Sequence, residues 1–233
     1  MGLSSAWLGE LMALVAVMLA WPLGWIPRRA PAGYGPRPVV LLHGWSLNRA
    51  SMEVLAARLR RDGRQVFAVN YPSMQADADA KGAVVAARLR EISAATGGGR
   101  VDVVAHSLGG VVIRVAATEP GMESLVGNVV TLGSPHRGSA LALLWGGAGL
   151  GQLRPGSRFL ETLTATDKLS ERANVTAIAS RFDFIVFPLD LAYYAGALNV
   201  TIEDVGHHSL LFSQRVYGLV KENLDVAPRE PRL

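Results

Sequence analysis

The chain has 233 residues, half of them hydrophobic, which suits one sizeable core, alone or with an appendage, without covalent staples. It has no cysteine, so disulfides, thiolate metal sites and a cysteine nucleophile are all excluded. Its 23 basic and 19 acidic residues leave a net charge of +4, and Arg58, Arg60, Arg61 and Arg64 form no basic stripe interleaved with aromatics, which argues against a nucleic-acid partner.

The first element is an apolar run from Ala6 to Ile26, 21 residues with a single charge at Glu10. A membrane-spanning helix needs about 20 such residues, and Trp7, Trp21 and Trp25 near the ends suit interfacial anchors. A membrane anchor with one N-terminal span is therefore the first reading. A cleaved signal peptide, leaving a secreted or periplasmic domain, comes second because the start "MGLSSAWLGE" has no basic residue. An apolar helix packed on the domain or on a partner comes third. Arg28 and Arg29 follow the run and would keep that flank cytoplasmic. Residues 27–38, "PRRAPAGYGPRP", cannot sustain a helix and read as a linker. The expected division is 1–33 for anchor and linker and 34–233 for one α/β domain.

Beyond the linker, apolar strands alternate with helical patterns. Val39–Leu42 reads as a buried strand, and Met52, Leu55 and Leu59 then recur at helical spacing. Val66–Val69 is a second strand, followed by a helix from about Asp77 to Ile92. Gly97–Gly99 breaks the chain before a strand at Val101–Ala105. A helix follows Ser107, and further strands lie at Asn128–Leu132, Val175–Ala179 and Val200–Ile202. Phe212, Val216, Leu219 and Val220 give a closing helix one apolar face. Continuous apolar strands alternating with helices predict an α/β fold, a mostly parallel sheet of about six strands covered on both faces.

Residues 139–170 interrupt this alternation with a leucine- and glycine-rich stretch too long for an ordinary connection. It reads either as an irregular insertion or as a lid whose apolar underside, with Trp145, lines a substrate site. Gly146, Gly147 and Gly149 would let it move.

In an open parallel sheet, ligands bind where the carboxyl ends of the strands face one crevice. His43-Gly44-Trp45, Ser107, Ser134–Gly138, Asp183 and Gly206-His207-His208 all fall at such ends. In "VDVVAHSLGG" the apolar strand runs into Ser107, and small residues at Ala105, Gly109 and Gly110 let strand and helix pass closely. That order suits a nucleophile on a strained strand-to-helix bend, with the helix amino end favouring negative charge. A serine hydroxyl needs a base, and the base needs an orienting acid. His106 should point away from the serine hydroxyl, while His43 and His136 sit in turns that suit structural roles. His207 and His208 lie on the last loop. Asp102 begins the serine's own strand, about 16 Å from the site at about 3.3 Å per residue. Asp183 follows a strand and precedes the histidines, Asp190 is a reserve acid, and Glu203 and Asp204 suit rim positions. Gly206 gives His207 freedom, whereas Ser209 is placed to cap the closing helix. The backbone amides of Leu108 and Trp45 are the expected oxyanion donors, and the Trp45 ring is a candidate wall of the acyl pocket.

"LLHGW", "VDVVAHSLGG", "TLGSPHRGS", "RPGSRFL", "SRFD" and "VGHHSLL" occur in this order across residues 38–224, and together they resemble bacterial lipases and esterases of the α/β-hydrolase superfamily. The resemblance implies a minimal α/β-hydrolase lacking the two leading antiparallel strands of larger members. It implies a serine carboxylic-ester hydrolase acting on lipid or short-chain acyl esters through Ser107, Asp183 and His207, with no cofactor. The closing motif is similar to Gly-His-x-x-Leu-Leu, which aligns His207 with the base. No metal ligands can be placed. Acyl transfer and thioester cleavage remain alternatives on the same residues, and a silent membrane-tethered interaction module is the rival from outside the enzymes.

Overall fold

The computed structural model describes residues 3–27, 37–74, 77–144 and 148–229. Helix α1 (Leu3–Ala20) runs into a 3-10 turn at Trp21–Trp25, where Pro22 tightens the chain. Then follow β1 (Val39–Leu42), α2 (Glu53–Arg61), β2 (Val66–Val69), α3 (Ala78–Ala95) and β3 (Val101–His106). Next come α4 (Leu108–Ala116), the short α5 (Met122–Leu125), β4 (Val126–Leu132), and the short α6 (Ala148–Gly151). The chain continues through α7 (Arg158–Thr166), the short α8 (Leu169–Arg172), β5 (Asn174–Ser180), β6 (Leu198–Ile202) and α9 (Gln214–Leu224).

Among the described residues six strands form one sheet in the order β2-β1-β3-β4-β5-β6, and each of these pairings is parallel. Leu42 pairs with Ala105, Ala105 with Thr131, Leu132 with Ile178, and Ser180 with Ile202. The strands therefore end in one row, and the loops leaving them meet at a single edge. Because side chains alternate across a strand, Val40, Leu42, Val103, Ala105 and Val129 pack on one face with α3, α4 and α7. Val39, Leu41, Val104, Val130 and Leu132 pack on the other with α2 and α9. This two-sided burial explains the uninterrupted apolar runs and the six parallel strands expected from them.

Helix starts follow local chemistry. Asp77 caps α3 by accepting from the Ala80 amide at 2.9 Å, and Ser157 caps α7. At α9 the cap is Ser213, which accepts from the Val216 amide at 3.3 Å. Ser209, the expected cap, instead opens a 3-10 turn at Ser209–Leu211, so the closing helix starts four residues later than its neighbouring serine suggested.

The amino-terminal segment lies against the α/β body. Ala6, Ala13 and Val17 of α1 are buried, and Val17 joins the α2–α9 core. The Asn48 side-chain amide donates to the Trp21 carbonyl at 2.7 Å, and that of Asn70 donates to Gly24 at 2.9 Å. Packing thus continues across the sequence boundary near residue 33. Within 139–170, α7 sends Leu160 and Leu163 into the main core, so its second half is part of the helical layer. Leu143 and Leu144 at its other end are exposed.

Candidate active site

Strand β3 delivers Ser107 to the edge where the loops meet. Its backbone adopts φ 54° and ψ −125°, and α4 begins at the next residue. A positive φ at a non-glycine residue is strained and persists only where the surroundings enforce it. Here they do: the Ser107 amide donates to the Leu132 carbonyl at 2.8 Å, and its own carbonyl accepts from Gly110 at 3.0 Å. Helix α4 must then cross β1 at close range. A Cβ at Gly109 would lie 2.8 Å from the Leu42 carbonyl oxygen and 2.9 Å from that of His43, so no larger residue fits without moving backbone. The His43–Trp45 turn reaches the same point, with Gly44 placed so that a Cβ would come within 3.0 Å of the Ser107 Cβ. Leu108 thus follows the serine as the first residue of α4, and Gly44, the residue before Trp45, faces it.

Asp183 and His207 arrive from the ends of β5 and β6. Asp183 Oδ1 accepts the amides of Ile185 and Val186, each at 2.8 Å, leaving Oδ2 to face His207 Nδ1 at 2.7 Å. A carboxylate only accepts, so Nδ1 carries the proton and Nε2 is the free basic nitrogen. The loop is tied to the serine strand as well: His106 Nε2 donates to the His207 carbonyl at 3.1 Å, and the two rings lie 4.7 Å apart. His106 is fully buried.

The electrostatics separate the histidines. Burial alone pushes His207 down, but the charge and hydrogen bond of Asp183, with a further contribution from Glu10, outweigh it and hold the imidazole above its ordinary value. Burial pushes His43 down to about 4, and it pushes His106 and His136 well below the ordinary range. His43 stacks on Tyr71 at 4.3 Å, and His136 stacks on Tyr194 at 4.9 Å, so both are built into the scaffold.

The other carboxylates stand apart. Asp102 is buried at the opposite end of β3, where Arg37 donates to it at 3.0 Å. Asp190 pairs with Arg137, Glu203 with Arg181 and Asp204 with Arg215, all toward the surface. Trp45 is half-buried against the α3–α4 core, whereas Trp145 lies outside the described residues. A cavity of about 860 Å³ opens between α7 and the 191–196 loop, beside Arg114 and His136. Neither Ser107, Asp183 nor His207 lines it, so it lies apart from them. Among the described residues, no group of three His, Asp or Glu side chains is arranged to hold a metal ion.

One contributor escaped the sequence reading. Glu10 of α1 reaches the loop just after His207 and hydrogen-bonds His208 and Ser209. The available signal was its position as the sole charge in an apolar segment, a setting in which ionisable residues need a partner.

A sequence profile described as the alpha/beta hydrolase family matches residues 39–201. A triacylglycerol lipase of Pseudarthrobacter phenanthrenivorans is 34% identical over 114 residues, covering 45% of this chain and 35% of that protein. One from Burkholderia plantarii is also 34% identical over 114 residues, covering 45% of this chain and 31% of its own length. The matched segment thus spans about a third of those relatives. Among solved structures, mature Bacillus licheniformis lipase BlEst2 superposes with a TM-score of 0.73 at 20% identity, over 87% of this chain and 95% of that one. At that identity the likeness speaks for the fold.

Proposed function

This chain belongs to the alpha/beta hydrolase family, and from that premise we propose that it is a serine hydrolase cleaving carboxylic esters, lipid or short-chain acyl esters, through an acyl-enzyme on Ser107. The observation that carries this reading is the Asp183–His207 contact at 2.7 Å, with the second Asp183 oxygen occupied by two amides. A carboxylate so immobilised can hold one tautomer of one histidine, which is what an orienting acid must do. The similar triacylglycerol lipases support the ester as substrate class.

In this mechanism the free Nε2 of His207 takes the Ser107 proton as Oγ attacks the ester carbonyl. The oxyanion is received by the Leu108 and Trp45 amides, and the Trp45 ring walls the acyl group. His207 then returns its proton to the departing alcohol, and a water activated by the same nitrogen releases the acid. No step requires a cofactor. The exposed Leu143 and Leu144, leading into the segment that holds Trp145, supply the apolar edge of a lid over the acyl group. Acyl transfer or thioester cleavage would use the same residues and differ only in the acceptor or leaving group.

We also propose attachment to a membrane surface through α1. Leu8, Leu11, Met12, Val15, Met18 and Leu19 form its outer face and are exposed, an apolar strip that calls for an apolar cover. Its inner face is held by the domain, so the helix lies along the body and meets lipid side-on. Flotation with liposomes should carry the full chain upward, and Leu11→Lys with Leu19→Lys should leave it in the soluble fraction.

The enzymatic reading is tested with p-nitrophenyl esters of increasing chain length and a labelled fluorophosphonate. Turnover together with a label on Ser107 is expected. No turnover of any ester and no label at Ser107 would instead identify a silent hydrolase fold serving as a membrane-tethered module.

A further inference from the structure

A carboxylate in the middle of an apolar helix is expensive to bury unless its oxygens are satisfied. In α1 the solution is specific. Glu10 Oε1 accepts the His208 amide at 2.8 Å and faces His208 Nδ1 at 2.7 Å. Oε2 accepts the Ser209 amide at 2.9 Å and the Ser209 hydroxyl at 2.8 Å. Both oxygens are thus spent on the two residues that follow the proposed base. The loop is shaped around this carboxylate: a Cβ at Gly206 would lie 2.4 Å from Glu10 Oε2, so a larger residue at 206 would displace it.

The rest of the segment touches the other loops of the same edge. Trp7 stacks on Phe184, next to Asp183, with ring centroids 4.3 Å apart. Trp21 Nε1 donates to the Ser46 carbonyl at 3.3 Å, one residue past the proposed oxyanion donor Trp45. From one end to the other, this apolar segment therefore straps the loops that carry the acid, the base and the oxyanion turn.

We propose that Glu10 is a positioning residue, holding the His208–Ser209 backbone so that His207 stays seated on Asp183, and that the amino-terminal helix is thereby a working part of the active site. This rests on the reading of Ser107, Asp183 and His207 given above. Glu10 touches no reacting atom and acts through the loop. Its charge has a second consequence. The ionisable groups facing His207 are Asp183, Glu10, His106 and His208, and only the two carboxylates favour its protonated form. Removing the Glu10 charge should move the acid limb of the rate profile to lower pH.

The test uses the full-length chain with Glu10→Ala and the isosteric Glu10→Gln, measuring ester turnover per active site titrated with fluorophosphonate. Displacing a base by about an ångström costs on the order of 100-fold. Glu10→Ala should accordingly lower kcat by about 10- to 100-fold with a much smaller change in KM. Glu10→Gln, which keeps one oxygen and so can accept from only one of the two amides, should recover a small part of the loss while retaining the lowered acid limb. Loss of thermal stability or of titratable sites alone, with kcat per site and the acid limb unchanged in both variants, overturns the proposal in favour of a merely structural contact. If Glu10→Ala does not fold, Glu10→Gln decides by the same two readouts. Ser107→Ala, run alongside, separates the two ideas. An active, label-free Ser107→Ala protein sinks the underlying hydrolase reading, whereas a dead one beside fully active Glu10 variants sinks only the positioning role.

Discussion

The Ser107 elbow and the His207 loop face each other across one edge of the sheet, yet they are held by different forces. The elbow is a product of excluded volume: a strained φ of 54° enforced by backbone bonds on both sides, and a helix that passes β1 only because position 109 has no side chain. The loop has one tight contact of its own, Gly206 against the Glu10 side chain, but no strained backbone like that at Ser107. It is held by side-chain hydrogen bonds from β3, from the β5 loop and from α1, whose contributing residues are separated from it by 101, 24 and 198 positions. The elbow should therefore break when volume is added. The loop should break when a charge or a hydrogen bond is removed.

Substitutions at the two proposed reacting groups come first. Ser107→Ala and His207→Ala should each reduce kcat by on the order of 10⁶, because members of such a constellation act as a unit. His208→Ala should retain much of the turnover, since its ring nitrogen is engaged by Glu10. Comparable losses at both histidines would mean that the loop collapses as a body.

Next in size is Asp183→Asn. An amide there offers the wrong partner to Nδ1, and losses of about 10⁴ in kcat are the scale for such a change. The circular dichroism spectrum should remain native, because Oδ1 can still accept the Ile185 and Val186 amides.

Gly109→Ala tests the other side of the comparison. With backbone oxygens at 2.8 and 2.9 Å from the added carbon, overpacking should destabilise the fold by about 1–3 kcal/mol in urea unfolding. Full stability would show that α4 can back away from β1 and that the elbow is less rigid than its packing indicates.

The smallest effect is on the pH profile. In the proposed mechanism His207 must be neutral to accept the serine proton, and Asp183 holds its pKa above the ordinary histidine value. Activity should therefore be full above that raised pKa and fall as pH drops through it. The acid limb of kcat/KM is expected on the alkaline side of a free histidine, and Asp183→Asn should bring the residual limb down. An acid limb at or below the free-histidine value in the unsubstituted protein would show that burial dominates the imidazole.

Much of this organisation is local, and so was legible in the chain alone. The parallel sheet follows from apolar runs such as Val39–Leu42 and Val101–Ala105, because a strand buried on both faces has no polar side to display. The bend at Ser107 follows from a strand, one serine and small residues in immediate succession, and the loop positions of Asp183 and His207 follow from where β5 and β6 stop. Contacts between distant segments were not legible. An apolar run with one carboxylate reads alike whether it crosses a bilayer, is removed or folds back, because the partners of Glu10 lie 198 and 199 residues away. Ser209 reads as a helix cap from its neighbours, but its amide and hydroxyl are taken by that carboxylate, and Ser213 caps α9 instead. Periodicity did not reveal that α7, inside a stretch that reads as an insertion, belongs to the core layer through Leu160 and Leu163. Strand period, bend and loop order depend on residues a few positions apart, so the sequence determines them by itself. Which side chain satisfies a buried charge depends on the packing of the whole chain, and only the tertiary structure decided it.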